Sequence, residues 1–240
     1  MFTKLSDTSK AAVFSVLVLV MAVGAAVLIR ILEIAPSMGM WVLWSCTPTV
    51  ATLVMLLVVT SEGYSREGWK VLGLHRLGLS VWWIAFGGTL LISVAASAVV
   101  WATPLASFVV PEGGIVSSLI DFLIQVGILA LTFALAEEIG IRGYLLPKLL
   151  PLGRRQALAL SGLVWATWHM PLILLTPVFP VGNKLISLPL FYAAIVAASF
   201  FYGYLRIYTG SIWPASIAHA VHNAARAPLG RSPQRPSRCL

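Results

Sequence analysis

Residues Ala11–Ile29 read AAVFSVLVLVMAVGAAVLI, nineteen consecutive positions without a charge, preceded by Lys4 and Lys10. A secretory signal core is usually ~7–15 residues long, whereas a membrane-spanning helix takes ~20. The run therefore reads as a retained first membrane helix or signal anchor. The rest of the 240-residue chain has the same character: 59% apolar, only 10% charged, with mean hydropathy +0.94. Ordinary soluble domains carry about 25% charged residues. Too little polarity is left to cover a soluble globule, so the composition excludes a soluble domain, a disordered chain and a disulfide scaffold. The expectation is an all-α, polytopic transmembrane helical bundle forming one integral membrane domain over 1–240.

Working outward from the first run, spans are expected near 11–32, 36–60, 81–110, 115–146, 156–176, 185–207 and 211–226, about seven membrane segments. The third contains Pro104 and is expected to kink or end early. The seventh is short for a full crossing. Trp41, Trp44, Trp82, Trp83 and Trp213 lie near segment ends, as interfacial anchors do. Beyond the last segment, residues 228–240 form a Pro/Arg tail read as disordered.

Sixteen Lys and Arg against eight Asp and Glu give a formal charge of +8. With no basic-aromatic platform, no nucleic acid is expected; the partner is the lipid bilayer, whose orientation rule basic loops obey. Lys4 and Lys10, then Arg66, Lys70 and Arg76, then Arg142, Lys148, Arg154 and Arg155, then Arg206 fall on one side. Arg30 and Lys184 fall on the other. The N-terminus is thus expected in the cytoplasm. The tail arginines oppose this if the seventh segment spans fully, so that segment is re-entrant or the tail is an exception. Cys46 and Cys239 support neither a disulfide nor a zinc finger. Cys239 is next to last, so the chain is not itself a prenylation substrate.

Ionisable residues inside a span are costly and are functional candidates by default. With the loops removed, the polar patches are Asp121; Glu137, Glu138 and Arg142; His169; Arg206; and His219, His222 and Asn223. At about 100° per residue, Glu138 and Arg142 share a helix face, about 40° apart, with the acid in the favourable N-terminal position. Glu137 points about 140° from Arg142 and is left for other work. His219 and Asn223 likewise share a face. Each patch also has a plain reading: charges at a helix end, a core histidine on a backbone carbonyl, or polar glue between helices. Asp121 is expected at the outer interface, and Arg206 is expected to snorkel to headgroups.

Depth brings the patches together. Glu137 lies about 14 Å from the end of span four, His169 about 20 Å into span five, and His219 about 15 Å from Thr209. An unpaired acid, two histidines and an amide at one depth suit hydrolysis: the acid takes a proton from water, a histidine orients it, and histidine plus amide donate to an oxyanion. The same set suits a Glu/His/His metal site. No His-Glu-x-x-His, no second intramembrane aspartate and no Gly-x-Ser-x-Gly occurs, so those hydrolase types are excluded. A non-catalytic membrane immunity or scaffold protein is the competing class. A proton-coupled carrier using Glu137 and the histidines is less favoured, because no internal repeat is visible.

The order Glu137-Glu138-Ile-Gly-Ile-Arg142, Trp165-Ala-Thr-Trp-His169 and His219-Ala-Val-His-Asn223, the last approached through Gly210-Ser211-Ile212-Trp213-Pro214, resembles the CPBP (Abi) family. That family comprises CAAX-type prenyl endopeptidases of type II and bacteriocin-processing or self-immunity proteins. The motif region covers about 115–226. The resemblance implies a helical intramembrane protease core acting on a membrane-tethered, possibly lipidated, peptide near the cytoplasmic face of a bacterial plasma membrane. It implies Glu137 as general base, His169 positioning the water, His219 and Asn223 at the oxyanion, and Glu138 with Arg142 supporting the site. Two mechanisms stay open: Zn2+ held by Glu137, His169 and His219, or a metal-independent glutamate mechanism. Two departures stand out. Trp165 replaces the usual phenylalanine, where an aromatic is expected to keep the packing role. The chain also ends soon after Asn223, where many relatives carry a further helix.

Overall fold

The computed structural model describes residues 5–103, 113–178 and 182–226. The tail from residue 228, Lys4, Pro104 and Cys239, which figure in the expectations above, lie outside them. The described chain is all-α, with no strand, and six helical stretches are long and apolar enough to cross a membrane. These stretches are Asp7–Ile31, Met38–Val59, Leu79–Trp101, Gly114–Leu152, Arg154–Leu175 and Lys184–Thr209. Together with their many exposed valines, leucines and isoleucines, they make an integral, polytopic membrane protein.

Helix α1 (Asp7–Ile31) opens on Ser6, whose hydroxyl accepts the Ser9 amide at 3.1 Å. This cap satisfies one of the donors that a helix start leaves unpaired. The second stretch is α2 (Met38–Ser45) and α3 (Thr47–Val54), running into a π-turn at Met55–Val59. A short α4 (Arg66–Lys70) lies in the following loop. Helix α5 (Thr89–Trp101) follows a π-turn at Ile84–Gly88 and stops before Pro104.

The fourth stretch is not one helix. α6 (Gly114–Leu131) ends at Thr132, whose φ −124° and ψ −101° break the run, and α7 (Phe133–Glu138) restarts it. A π-helical segment, Ile139–Leu145, then leads into α8 (Leu146–Leu149). Backbone carbonyls beside a break need outside donors when no water reaches them. Ser216 supplies one to Ala130 O at 2.7 Å, and ahead of the π-helical segment Thr49 donates to Ala136 O at 2.6 Å.

Helices α9 (Arg154–Leu175) and α10 (Lys184–Thr209) pack along small residues. A Cβ on Gly162 would stand 2.8 Å from Ser199 Cβ and 3.0 Å from Val196 Cα, so only hydrogen fits there. Small residues at a helix seam allow the close approach on which membrane bundles depend.

The last helix, α11 (Trp213–Arg226), has 14 residues. At about 1.5 Å per residue it is about 21 Å long, short of the ~30 Å hydrocarbon core. It is not among the six spanning stretches. Instead it packs against α5, α6, α7 and α10, burying Ala215, Ala218, Ala220, Val221 and Ala224. The seventh segment is therefore a short inner helix packed against the third, fourth and sixth stretches.

One end of the bundle is tied by charge. Lys10 meets Glu62 at 2.7 Å, and Lys148 meets Glu62 at 3.0 Å and Asp7 at 3.1 Å. The start of α1, the turn after the second stretch and α8 are thus joined. Partial burial alone would raise the Glu62 carboxyl, but the hydrogen bonds and charges of Lys10 and Lys148 outweigh it and hold it below the usual carboxylate range.

Two expectations are corrected. Trp44 is not an interfacial anchor: it is 1% exposed, with its ring 4.7 Å from that of Trp168. Arg206 does not reach out to headgroups. It is drawn inward by two backbone carbonyls, Val71 O at 2.6 Å and Arg142 O at 3.2 Å.

Candidate active site

Glu137 and Glu138 close α7, just after the restart at Thr132. Both are buried, Glu137 at 6% exposure and Glu138 at 0%. They face different partners, as adjacent helical residues must. Glu138 Oε1 accepts from Arg142 Nη1 at 3.1 Å and from His219 Nδ1 at 2.9 Å. Arg142 is fully buried, and its guanidinium also lies over the Trp165 ring, 4.1 Å from the centroid, and 5.3 Å from that of Tyr202. These faces supply cation–π attraction where water would otherwise solvate the charge. Even so, Glu138 Oε2, Arg142 Nε and Arg142 Nη2 have no hydrogen-bond partner among the described residues.

Glu137 is held by neutral donors. Ser45 Oγ donates to Oε1 at 3.2 Å, and Trp165 Nε1 donates to Oε2 at 3.1 Å. His219 Nε2 stands 3.9 Å from the same Oε2. The pairing expected from helix angles is therefore present: Arg142 serves Glu138 and leaves Glu137 to other work. A carboxylate held by hydroxyl and indole keeps lone pairs available for a proton, which a direct arginine bridge would occupy.

His219 sits on the inner helix α11, between the two acids. Its ring stacks on Tyr202, at 22° and 5.9 Å, and meets Trp165 edge-on at 5.2 Å. Because a carboxylate only accepts, the bond to Glu138 places a proton on Nδ1. Nε2, on the side of Glu137, then accepts when the ring is neutral and donates when it is an imidazolium.

His169 lies one turn beyond Trp165 on α9 and is half-buried. Its Nδ1 meets the Trp165 carbonyl oxygen at 2.9 Å. A carbonyl cannot donate, so Nδ1 carries the proton and Nε2 carries the lone pair. Asn223 follows His219 by one turn, is half-buried, and makes no hydrogen bond among the described residues. His222 is half-buried beside it, and Asp121 is exposed on α6.

The structure thus brings Glu137, Glu138, Arg142 and His219 into one contact network. His169 is joined to it through Trp165, and Asn223 through its place on α11. Among the described residues, no three His, Cys, Asp or Glu side chains gather in an arrangement that could hold a metal ion. Glu137, His169 and His219 do not form a donor set of that kind.

Three members of the site were not evident from sequence. Ser45 is an ordinary serine at the end of α2, ninety-two positions before Glu137. Tyr202 is one of several aromatics on α10. Trp165 was noticed, but as a packing residue; its indole N–H is a hydrogen-bond donor to Glu137, which a phenylalanine could not be. The only available signal was that an indole buried beside an acid needs a partner.

Residues 119–225 match the model of a family described as type II CAAX prenyl endopeptidase Rce1-like. The matched segment runs from α6 to α11 and holds every motif residue of the site. The match covers 107 of the 240 residues and is a likeness of that segment to the family. No curated protein matches the chain.

Proposed function

We propose that the chain is an intramembrane endopeptidase of the CPBP type in which Glu137 is the general base. The observation that carries this reading is the division of labour between adjacent acids: Glu138 takes Arg142 and His219, while Glu137 is oriented by the neutral donors Ser45 and Trp165. In the proposed reaction Glu137 accepts a proton from water as the water oxygen attacks the scissile carbonyl carbon. His169 accepts a hydrogen bond from the water's second O–H and so aims the water, without taking that proton. The His219 ring and the Asn223 amide donate to the developing oxyanion. As the tetrahedral intermediate collapses, the C–N bond breaks and Glu137 returns its proton to the leaving amine.

Glu137, His169 and His219 are not gathered as ligands around one point among the described residues, so water activation in this reading falls to the Glu137 carboxylate itself. The proposed substrate is a membrane-tethered, lipidated peptide presented near the cytoplasmic face of a bacterial plasma membrane. That face is taken as the end carrying Lys10, Arg66, Arg76 and Arg154, by the positive-inside rule.

The test is cleavage of such a peptide by the reconstituted protein. Glu137→Ala and His219→Ala are expected to insert normally and to lose cleavage. Full activity in both would sink the proposal and favour a non-catalytic immunity or scaffold role, in which motif variants keep their biological effect. Membrane proteomics of wild type against Glu137→Ala is expected to show an accumulating precursor, which would identify the substrate.

A further inference from the structure

An open cavity of about 450 Å3 lies at the basic end of the bundle, and neither acid of the candidate site lines it. That volume lies within the ~300–1,000 Å3 typical of small-ligand sites. Its charged lining is Glu67, Lys70, Arg76 and Arg206, with His75 beside them. Glu67 and Lys70 pair with each other at 2.6 Å. The uncommitted cations are therefore the two arginines.

Arg206 is 9% exposed, and its Nε and Nη2 are fixed on the carbonyls of Arg142 and Val71. It forms no ion pair among the described residues, and Nη1 makes no hydrogen bond there. The guanidinium of Arg76 likewise has no partner among them. The backbone is shaped to bring both groups in. Gly73 (φ +75°) and Gly210 (φ +65°) meet where Ile212 N donates to Gly73 O at 3.3 Å. A Cβ on Gly73 would stand 2.9 Å from Arg206 Cζ, and one on Gly210 would stand 3.1 Å from Arg76 Nη1. Both glycines adopt left-handed backbone that other residues resist, and both leave room for a guanidinium.

Gathering two like charges at a backbone crossing, one of them buried, is unfavourable unless an anion offsets them. Planar, forked guanidiniums match the oxygens of phosphate. We propose that this cavity binds a phosphate group. Its height suits a phospholipid headgroup. Arg206 lies three residues from the end of α10, and Pro147 in α8 lines the same cavity. Trp69, Trp82 and Trp213 donate their indole N–H groups to loop carbonyls at this end. Such indoles mark the interfacial level where lipid phosphates reside.

The test is native mass spectrometry of the full chain released from nanodiscs of mixed phosphatidylglycerol and phosphatidylcholine, with inorganic phosphate as a separate arm. Wild type is expected to retain phosphatidylglycerol preferentially. Arg76→Gln, a change at an exposed side chain, is expected to weaken retention about tenfold, the order of one lost charge-assisted hydrogen bond. Arg66→Gln, an exposed arginine outside the cavity, should leave retention unchanged. Saturable, Arg76-dependent binding of inorganic phosphate without lipid retention would support the site and assign it to free phosphate. The proposal is overturned if neither ligand depends on Arg76, or if Arg66→Gln reduces retention equally.

Discussion

Trp165 donates its indole N–H to Glu137 Oε2 across 3.1 Å, and so fixes the acid from a helix that carries His169 one turn later. The same indole face supports the Arg142 guanidinium. Trp165→Phe keeps an aromatic face but removes the donor. A hydrogen bond to a charged group is worth about 1.5–3 kcal/mol. Peptide cleavage is therefore expected to fall at least about tenfold, with the thermal transition of the purified protein moving little. Unchanged cleavage in this variant would show that Glu137 is oriented by something else.

The Glu138–Arg142 pair predicts a different pattern. Both side chains are fully buried, and removing one partner strands a charge, typically at a cost of about 3–5 kcal/mol. Arg142→Met and Glu138→Gln should each lower the unfolding temperature in detergent markedly. The double variant should recover part of that loss, because two neutral groups need no counter-charge. Strictly additive losses would mean that the pair is not coupled. Activity should not recover with stability, since His219 loses its charged acceptor in either background that lacks Glu138.

Most of this site was legible because charge is scarce in the chain and costly in a bilayer. Glu137, Glu138, Arg142 and His219 announced themselves by position alone, and helix angles sorted the two acids correctly. The partners that tune them did not. Ser45 and Tyr202 are uncharged, unremarkable in a span, and distant in sequence. The break at Thr132 was invisible because threonine is tolerated within helices, and the hydroxyl that meets the Ala130 carbonyl beside it, Ser216, lies eighty-six positions away. Arg206 misled for the opposite reason. A long basic side chain near a span end ordinarily reaches outward, but Gly73 and Gly210 open a crossing that draws it inward. The inner placement of α11 rests on packing with helices of three other segments, of which sequence offered only its short length.

The charged tie at the basic end makes stability depend on acid. Glu62 holds Lys10 and Lys148, and its carboxyl is lowered from the ordinary value of 4.5. A group lowered on folding contributes stability that is fully present above its unfolded value and is lost as pH falls through its folded value. The unfolding temperature should thus be level above pH 4.5 with respect to this group, and should drop below it. Glu62→Gln should be less stable at neutral pH and should flatten the acid limb. A variant with the same acid limb as wild type would place the loss on other carboxylates. Because Glu62 is partly exposed, added salt should shrink the difference.

Chelation separates the two forms of hydrolysis that the motif residues allow. A zinc centre requires its ligands to converge on one point at about 2.0–2.2 Å, with imidazole lone pairs directed inward. Here His219 holds its Nδ1 proton toward Glu138, and His169 holds its own toward Trp165 O. Both Nδ1 positions are thereby taken, and among the described residues the three side chains are not gathered around one point. Cleavage by protein dialysed against a strong chelator is therefore expected to match that of untreated protein. Elemental analysis of the purified protein should find zinc well below one equivalent. Loss of activity on chelation, with recovery on adding zinc but not magnesium, would assign Glu137 to the metal rather than to the attacking water. His169→Ala refines the distinction. If His169 only aims water through its lone pair, the variant should retain measurable cleavage, whereas loss of a metal ligand should remove both zinc and activity together.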